Sequence, residues 1–242
     1  MSRPLRLLYE NAWYHVMNRG ADHAVIFHND NDYQIFINIF LRLHRRYRFE
    51  INAYCLMPNH YHILIQTPLP NLSAGMRHLN SIYTQYYNKK YEKDRALFRG
   101  RYKATLVDAE NYLLRVSRYI HLNPVKAFLV KHPNEYCWSS YKFYSCCIAP
   151  PNWLYTNQIL SHFGIKQQKN KYSLFVMEKT DQELEVFYRK LKLLPILGSD
   201  LFRKQISHLL YCINNAENIR VFNKKRCLLF ANRANFYTFR KS

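Results

Sequence analysis

Only five of the 242 residues are glycine, and the signatures that usually announce phosphate or hydrolase chemistry are missing. There is no Walker A sequence, no G-x-S-x-G and no H-E-x-x-H, so nucleotide hydrolysis, serine hydrolysis and zincin chemistry lose their usual support. The six cysteines (Cys55, Cys137, Cys146, Cys147, Cys212 and Cys227) include no C-x-x-C pair. That spacing disfavours a structural zinc site and suits a reducing compartment. No apolar run approaches the roughly 18 residues that could span a bilayer, and the start MSRPLRLLYENAWYH lacks the apolar segment of a secretory signal. The expected location is therefore the cytoplasm. Acidic residues are scarce: 16 Asp and Glu face 36 Lys and Arg, giving a net charge of +20 and a pI near 9.8. Such a balance calls for a polyanionic partner, nucleic acid first and a membrane surface second.

Apolar material is sufficient for a core, at 48% of residues, and tyrosine is abundant with 21 copies. Many of those rings belong to the core, but aromatics interleaved with cations also suit single-stranded nucleic acid, where bases stack and phosphates need neutralising.

Hydrophobic periodicity places the elements. Ala12 to Asn18 alternates as a strand, and Asp30 to Asp32 can cap a helix bearing Phe36, Ile39, Phe40 and Leu43 at three-and-four spacing. Strands at Ile51 to Met57 and His60 to Thr67 meet at Pro58-Asn59 and predict a hairpin. A second helix follows over Leu72 to Tyr91, with Leu72, Met76, Leu79, Tyr83 and Tyr86 on one face, then a strand at Tyr102 to Val107. Asp108 can cap a third helix that Pro124 discourages from continuing. The order β-α-β-β-α-β-α predicts an α+β domain: a ferredoxin-like split β-α-β antiparallel sheet with one added helix. A domain over residues 1–149 and a basic, mainly helical region over 150–242 are expected, divided at Ala149-Pro150-Pro151-Asn152. Residues before Pro150 carry 20 cations against 10 anions and those from it onward 16 against 6, so each part holds +10. The second region is the more densely basic; it either binds DNA flanking a cleavage site or covers apolar surface with residues such as Trp153, Leu154, Phe163, Tyr172 and Phe175.

Three segments can carry chemistry. In Leu56-Met57-Pro58-Asn59-His60-Tyr61-His62-Ile63-Leu64-Ile65, strand alternation points His60 and His62 to one face and Tyr61, Ile63 and Ile65 to the other. Two imidazoles so placed can hold a metal ion, or can simply be polar residues on a wetter face. On the third helix, Leu113, Val116 and Ile120 form an apolar stripe, and Tyr119 stands about 100° round from Ile120 toward Arg115 and Arg118. Asn123 lies four residues on, near the same face. Either Tyr119 is a nucleophile at the border of core and cationic surface, or it rests on the core edge while Asn123 caps the helix end. His121 points elsewhere and is structural. Lastly, Lys89 to Lys103 gathers Lys89, Lys90, Lys93, Arg95, Arg99, Arg101 and Lys103 around Tyr91, Phe98 and Tyr102, as a phosphate-tracking segment with rings for bases or as a solvated loop. Arg19, after the first strand, can add a donor.

Taken together, Met57 to Ile65, Phe98-Arg99-Gly100-Arg101-Tyr102-Lys103 and Tyr119-Ile120-His121-Leu122-Asn123-Pro124-Val125-Lys126-Ala127 resemble the single-tyrosine HUH transposases, particularly the REP-associated tyrosine transposases. The resemblance runs from about Asn11 to Tyr144. Trp138-Ser139-Ser140-Tyr141 and Leu197-Gly198-Ser199-Asp200-Leu201-Phe202 look like segments of the longer members. It implies that His60 and His62 are the HUH pair, that Tyr119 is the nucleophile, and that Asn123 completes the metal site. Magnesium or manganese is the implied ion, although the imidazoles alone also suit zinc. The implied reaction is cleavage and rejoining of single-stranded hairpin DNA through a 5′-phosphotyrosine link. Arg115 and Arg118 are expected to bind the nucleic acid and to favour the phenolate, and the protein to act as a monomer or homodimer. One departure is Phe128, where a small residue, often glycine, is usual in the family. A non-catalytic hairpin binder and a metal-dependent nuclease using water are the rival readings.

Overall fold

The computed structural model describes residues 7–178, 181–189 and 195–218. Four strands, β1 (Ala12–Arg19), β2 (Glu50–Met57), β3 (His60–Thr67) and β4 (Lys103–Val107), pair antiparallel in the order β2-β3-β1-β4. That is the split β-α-β arrangement. A two-residue strand, β5 (Ile196–Leu197), adds beside β4 in parallel, so the sheet is mixed and not wholly antiparallel as expected.

Helices α1 (Asp30–Tyr47) and α2 (Leu72–Tyr91) lie on one face of the sheet. α1 starts at Asn29, whose side chain accepts from the Asp32 backbone N–H while the Asp32 carboxylate accepts from the backbone N–H of Asn29. Such a capping box contributes about 1 kcal/mol. Phe36, Ile39, Phe40 and Leu43 are buried as their spacing predicts. On α2 the buried residue after Tyr83 is Tyr87, not Tyr86. Tyr86 turns outward, where its hydroxyl donates to Asp32.

α3 (Ala109–Lys126) packs on the opposite face through Leu113, Val116 and Ile120. It runs three residues past the expected stop at Asn123. Pro124 has no N–H to give the Ile120 carbonyl, and the Asn123 side-chain amide leans 3.5 Å from that oxygen instead. The helix ends at Lys126 with Ala127 as its C-cap, and the next residue, Phe128, has a left-handed φ of 56°. A side chain there costs roughly 1–2 kcal/mol relative to glycine.

The region after Pro150 does not form a separate body at the expected boundary. Two compact units divide after Leu197, the first ending there and the second running from Gly198. Within the first, α4 (Tyr141–Ser145), α5 (Asn157–Leu160), α6 (Gln168–Met177) and α7 (Gln182–Arg189) share one apolar cluster with α3 and β2. Tyr144, Leu160, Tyr172, Val176, Leu184 and Phe187 are buried in it. The sheet and α3 thus share their core with this region. The segment Trp138 to Tyr141 runs along β2: the Leu56 backbone N–H donates to the Trp138 carbonyl at 3.0 Å, and the Tyr54 backbone N–H donates to Ser140 Oγ at 2.9 Å. His121, fully buried, bridges Ser140 Oγ and Tyr172 Oη at 2.7 Å each and is structural as expected. The second unit contains α8 (Asp200–Asn218).

Candidate active site

β3 builds the first part of the site. Its alternation sends Tyr61 to the α1 and α2 face, where it is wholly buried and donates to Asn80 Oδ1 at 2.9 Å. His60 and His62 face α3, their ring centroids 5.1 Å apart and nearly perpendicular. Both are neutral at pH 7: burial lowers the His60 pKa to about 4 and pulls His62 well below the usual histidine range. Each presents Nδ1 to a partner, His60 to Asn59 Oδ1 at 2.6 Å and His62 to His15 Nε2 at 2.9 Å. Both Nε2 atoms are left as candidate ligand positions. This donor set fits a divalent ion. Among the described residues no group of three or more His, Cys, Asp or Glu side chains could hold one. The remaining ligands have to be an amide, water or substrate oxygen.

α3 brings the second part. The Tyr119 ring lies 5.8 Å from that of His62, edge to face. Asn123, one turn on, donates its amide N–H to the Tyr119 carbonyl at 2.8 Å, leaving its Oδ1 as the group able to ligate. The histidine pair and Tyr119 are thus brought together on one face of the sheet from β3 and α3, with Asn123 one helical turn beyond Tyr119.

α7 supplies a wall that the sequence did not announce. Tyr188 stacks on Tyr119 with centroids 4.2 Å apart, and its hydroxyl is 2.6 Å from His15 Nδ1. Asp181, just before α7, and Glu183 pair with Arg115; the Glu183 contact is 2.7 Å. Arg118 lies 3.5 Å from Asp181 and packs its guanidinium 4.4 Å from the Phe175 ring centre. Glu185 holds Lys126 at 2.9 Å, with the Lys126 ammonium 5.0 Å from the centre of the Tyr119 ring. The cleft left between α3 and α7, lined by Tyr119, Leu122, Lys126 and Leu184 among others, is about 10 Å³, room for one water. The expectation that Arg115 and Arg118 favour the phenolate therefore fails in this arrangement: both already face carboxylates. Burial, with the Glu185 charge behind it, pushes the Tyr119 phenol up to about 12.

The basic segment divides. Lys93, Arg95, Arg99, Arg101 and Lys103 are exposed, as is Lys89. Lys90 is pinned 2.6 Å from the buried Asp32 carboxylate and serves the fold. Phe98 and Tyr102 are buried, at 7% and 5% exposure, so they are core and not the base-stacking rings expected of them. Phe98 packs edge-on to Tyr61 instead. The loop is fixed beside the histidines: the Arg99 N–H donates to the Arg19 carbonyl at 3.0 Å, and Arg19 is the cross-strand partner of His60. Gly20, next along the chain, is required by a different contact, since a Cβ there would stand 2.1 Å from the Ala24 carbonyl oxygen. Gly100, at φ 146°, takes a turn that a side chain disfavours.

His15, Tyr188 and the α7 carboxylates were missed in the sequence. His15 had a signal: in the alternation Trp13, His15, Met17 it shares a face with Met17, the cross-strand partner of His62. The α7 residues had none, because no local pattern reports which distant helix covers α3.

The chain is similar to known proteins. Residues 8–123 match the model of a family described as "Transposase IS200 like", a span that includes His60, His62, Tyr119 and Asn123. No curated protein matches the chain. Among solved structures, the chain is similar to a REP-associated tyrosine transposase bound to a REP hairpin, with 21% identity and a TM-score of 0.48 over 58% of this chain and 82% of that one.

Proposed function

From the IS200-like transposase match over residues 8–123, we propose that this chain cleaves and rejoins single-stranded or hairpin DNA by transesterification, with Tyr119 as nucleophile. The observation that carries the reading is the meeting of His60, His62 and Tyr119, from two separate elements, on one face of the sheet. The Tyr119 oxygen attacks the scissile phosphorus as the bond to the 3′ oxygen breaks. The phenol proton leaves to water, and the departing 3′ oxygen takes one up. A 5′-phosphotyrosine and a free 3′-OH result. The link retains the energy of the phosphodiester, so a second 3′-OH reverses the step and joins strands without ATP.

His60 and His62 would hold Mg²⁺ or Mn²⁺ through Nε2, and Asn123 through Oδ1. Once bound, the ion supplies polarisation of the phosphate and stabilises charge on the leaving oxygen. A phenol raised to about 12 needs this help, because little phenolate exists at pH 7. Arg19, Arg99 and Arg101, grouped at the His60 end of the sheet, would bind substrate phosphates, with Lys93, Arg95 and Lys103 beside them. DNA reaches Tyr119 when α7 yields its place, since the present cleft admits about one water.

The test is incubation with a library of single-stranded hairpins and Mn²⁺, followed by sequencing of DNA that remains attached to protein after denaturation. Attached DNA is expected, and it is lost in His60→Ala, His62→Ala and on EDTA treatment. Cleaved DNA with no attached protein would instead identify a nuclease using water, and bound but uncleaved DNA a binding protein.

A further inference from the structure

His15 lies in the middle of β1, fully buried, with both ring nitrogens engaged: Nε2 is 2.9 Å from His62 Nδ1, and Nδ1 is 2.6 Å from Tyr188 Oη. A neutral imidazole carries one N–H and one lone pair, so the chain His62–His15–Tyr188 can be protonated in only two consistent directions. In the first, His62 Nδ1–H donates to His15 Nε2 and His15 Nδ1–H donates to the Tyr188 oxygen. His62 Nε2 then holds a lone pair and can bind a cation. In the second, the Tyr188 hydroxyl donates to His15 Nδ1 and His15 Nε2–H donates to His62 Nδ1. His62 Nε2 then carries hydrogen and cannot bind one. The two rings are also stacked, centroids 5.1 Å apart and planes 30° apart, so the contact sets the orientation of His62 as well as its tautomer.

We propose that His15 is a positioning residue for the metal site, holding His62 with Nδ1 protonated and Nε2 free. The proposal rests on the reading of His60 and His62 as metal ligands. A partner on the non-ligating nitrogen of a metal-binding histidine typically changes metal affinity by about 10–100-fold, because it fixes tautomer and direction together. Packing alone does not require a histidine here: Met17 and Leu64, paired with His62 and His15 respectively, are apolar, and an aromatic ring would fill the same space. What a phenyl ring lacks is the acceptor facing His62 Nδ1.

Two measurements test this without relying on DNA cleavage. The first is Mn²⁺ titration of the DNA-free protein, followed by the loss of the free-ion electron paramagnetic resonance signal. His15→Phe should bind Mn²⁺ about 10–100-fold more weakly than wild type. His15→Gln, whose amide oxygen can accept the same hydrogen bond, should stay within about threefold. Wild-type affinity in His15→Phe, alongside a loss in His62→Ala, overturns the positioning role and leaves the metal reading intact. Wild-type affinity in His62→Ala overturns the metal reading itself, and the proposal with it. The second measurement is the long-range ¹H–¹⁵N spectrum of the metal-free wild type, which needs no variant to fold. His62 should appear with Nδ1 protonated; the Nε2-protonated tautomer overturns the proposal.

Discussion

Tyr188 lies on the face of Tyr119, ring centroids 4.2 Å apart and planes inclined by 27°. The side chain proposed as nucleophile is therefore held between α3, which carries it, and α7, which covers it, while no described residue takes a hydrogen bond from its hydroxyl. Removing that oxygen should leave packing untouched. Tyr119→Phe is expected to lose covalent DNA attachment entirely and to bind hairpin DNA as the wild type does. Its melting temperature should move by no more than about 2 °C, as for a change of about 0.5 kcal/mol in a chain of this size. A phosphotyrosine adduct formed by this variant would refute the assignment.

The carboxylates of Asp181 and Glu183 take up Arg115, and Asp181 also faces Arg118. In a protein of net charge +20, these cations are held away from a phosphate backbone by the protein itself. Replacing both acids, as Asp181→Asn with Glu183→Gln, should free Arg115 and Arg118 for DNA. For single strands each added phosphate contact steepens the slope of log affinity against log salt by about 0.7, so the double variant should gain up to about 1.4 with tighter binding at low salt. A slope equal to wild type would show that DNA does not reach this side of α3.

The hairpin, the first three helices and the ferredoxin-like strand order were legible because each follows from local alternation and turn residues, although α1 is capped by Asn29 and not by Asp30 to Asp32. The facing of His60 and His62 was legible for the same reason: period two in a strand leaves no freedom. What local pattern could not show was the far wall. α7 reaches Tyr119 from more than 60 residues away, and its Glu183, Glu185 and Tyr188 read in sequence as an ordinary amphipathic helix. The exchange of Tyr86 for Tyr87 on α2 had a similar origin. Both fit near the apolar stripe, and the buried carboxylate of Asp32, on a different helix, draws the Tyr86 hydroxyl outward. Phe98 and Tyr102 were misread because aromatic residues beside cations look alike whether they stack on bases or lie in the core.

Placement of the first unit's end at Leu197 has a direct consequence for truncation. A chain ending at residue 149 loses Tyr172, Val176, Leu184 and Phe187 from the cluster that packs α3. Each fully buried large side chain contributes roughly 1.5–3 kcal/mol, so the loss of these four, about 6–12 kcal/mol, is comparable to the whole stability of an ordinary domain. That chain should be insoluble or lack a cooperative thermal transition, whereas a chain ending at Leu197 should melt cooperatively. A cooperative transition in the shorter chain would show that residues 150–197 are dispensable for the fold.

His15 and His121 are both fully buried and neutral, each with its pKa lowered to about 3 by burial. The unfolded chain protonates such residues near pH 6.5 while the folded chain does not, so below that pH the unfolded state binds more protons and stability falls as pH falls. The window runs from about 6.5 down to the folded value near 3. By pH 5 each residue should cost about 2 kcal/mol. The carboxylates of Asp32 and Asp181 are held low by their cationic and hydrogen-bonding partners and respond only at still lower pH. From these two residues alone, urea unfolding should give a free energy about 4 kcal/mol smaller at pH 5 than at pH 7, and His60 and His62, whose pKa values burial also lowers, add to the fall. Equal values at the two pH values would mean that these histidines are hydrated or already charged in the fold.

Arg99 and Arg101 stand exposed on either side of Gly100, in a loop tied to Arg19 and hence to the strand end that carries His60. Among the described residues neither has an acidic partner comparable to those of Arg115, which makes them the cations most available to a phosphate backbone near the histidine pair. Replacing both by alanine should weaken hairpin binding and flatten the salt slope by about 1.4 if each touches one phosphate. Cleavage at saturating DNA should change much less, because Tyr119, His60 and His62 are left in place and the lost contacts position the strand without touching the reacting phosphorus. A double variant with an unaltered salt slope would establish that the loop is solvated and that the DNA path to His60 runs elsewhere.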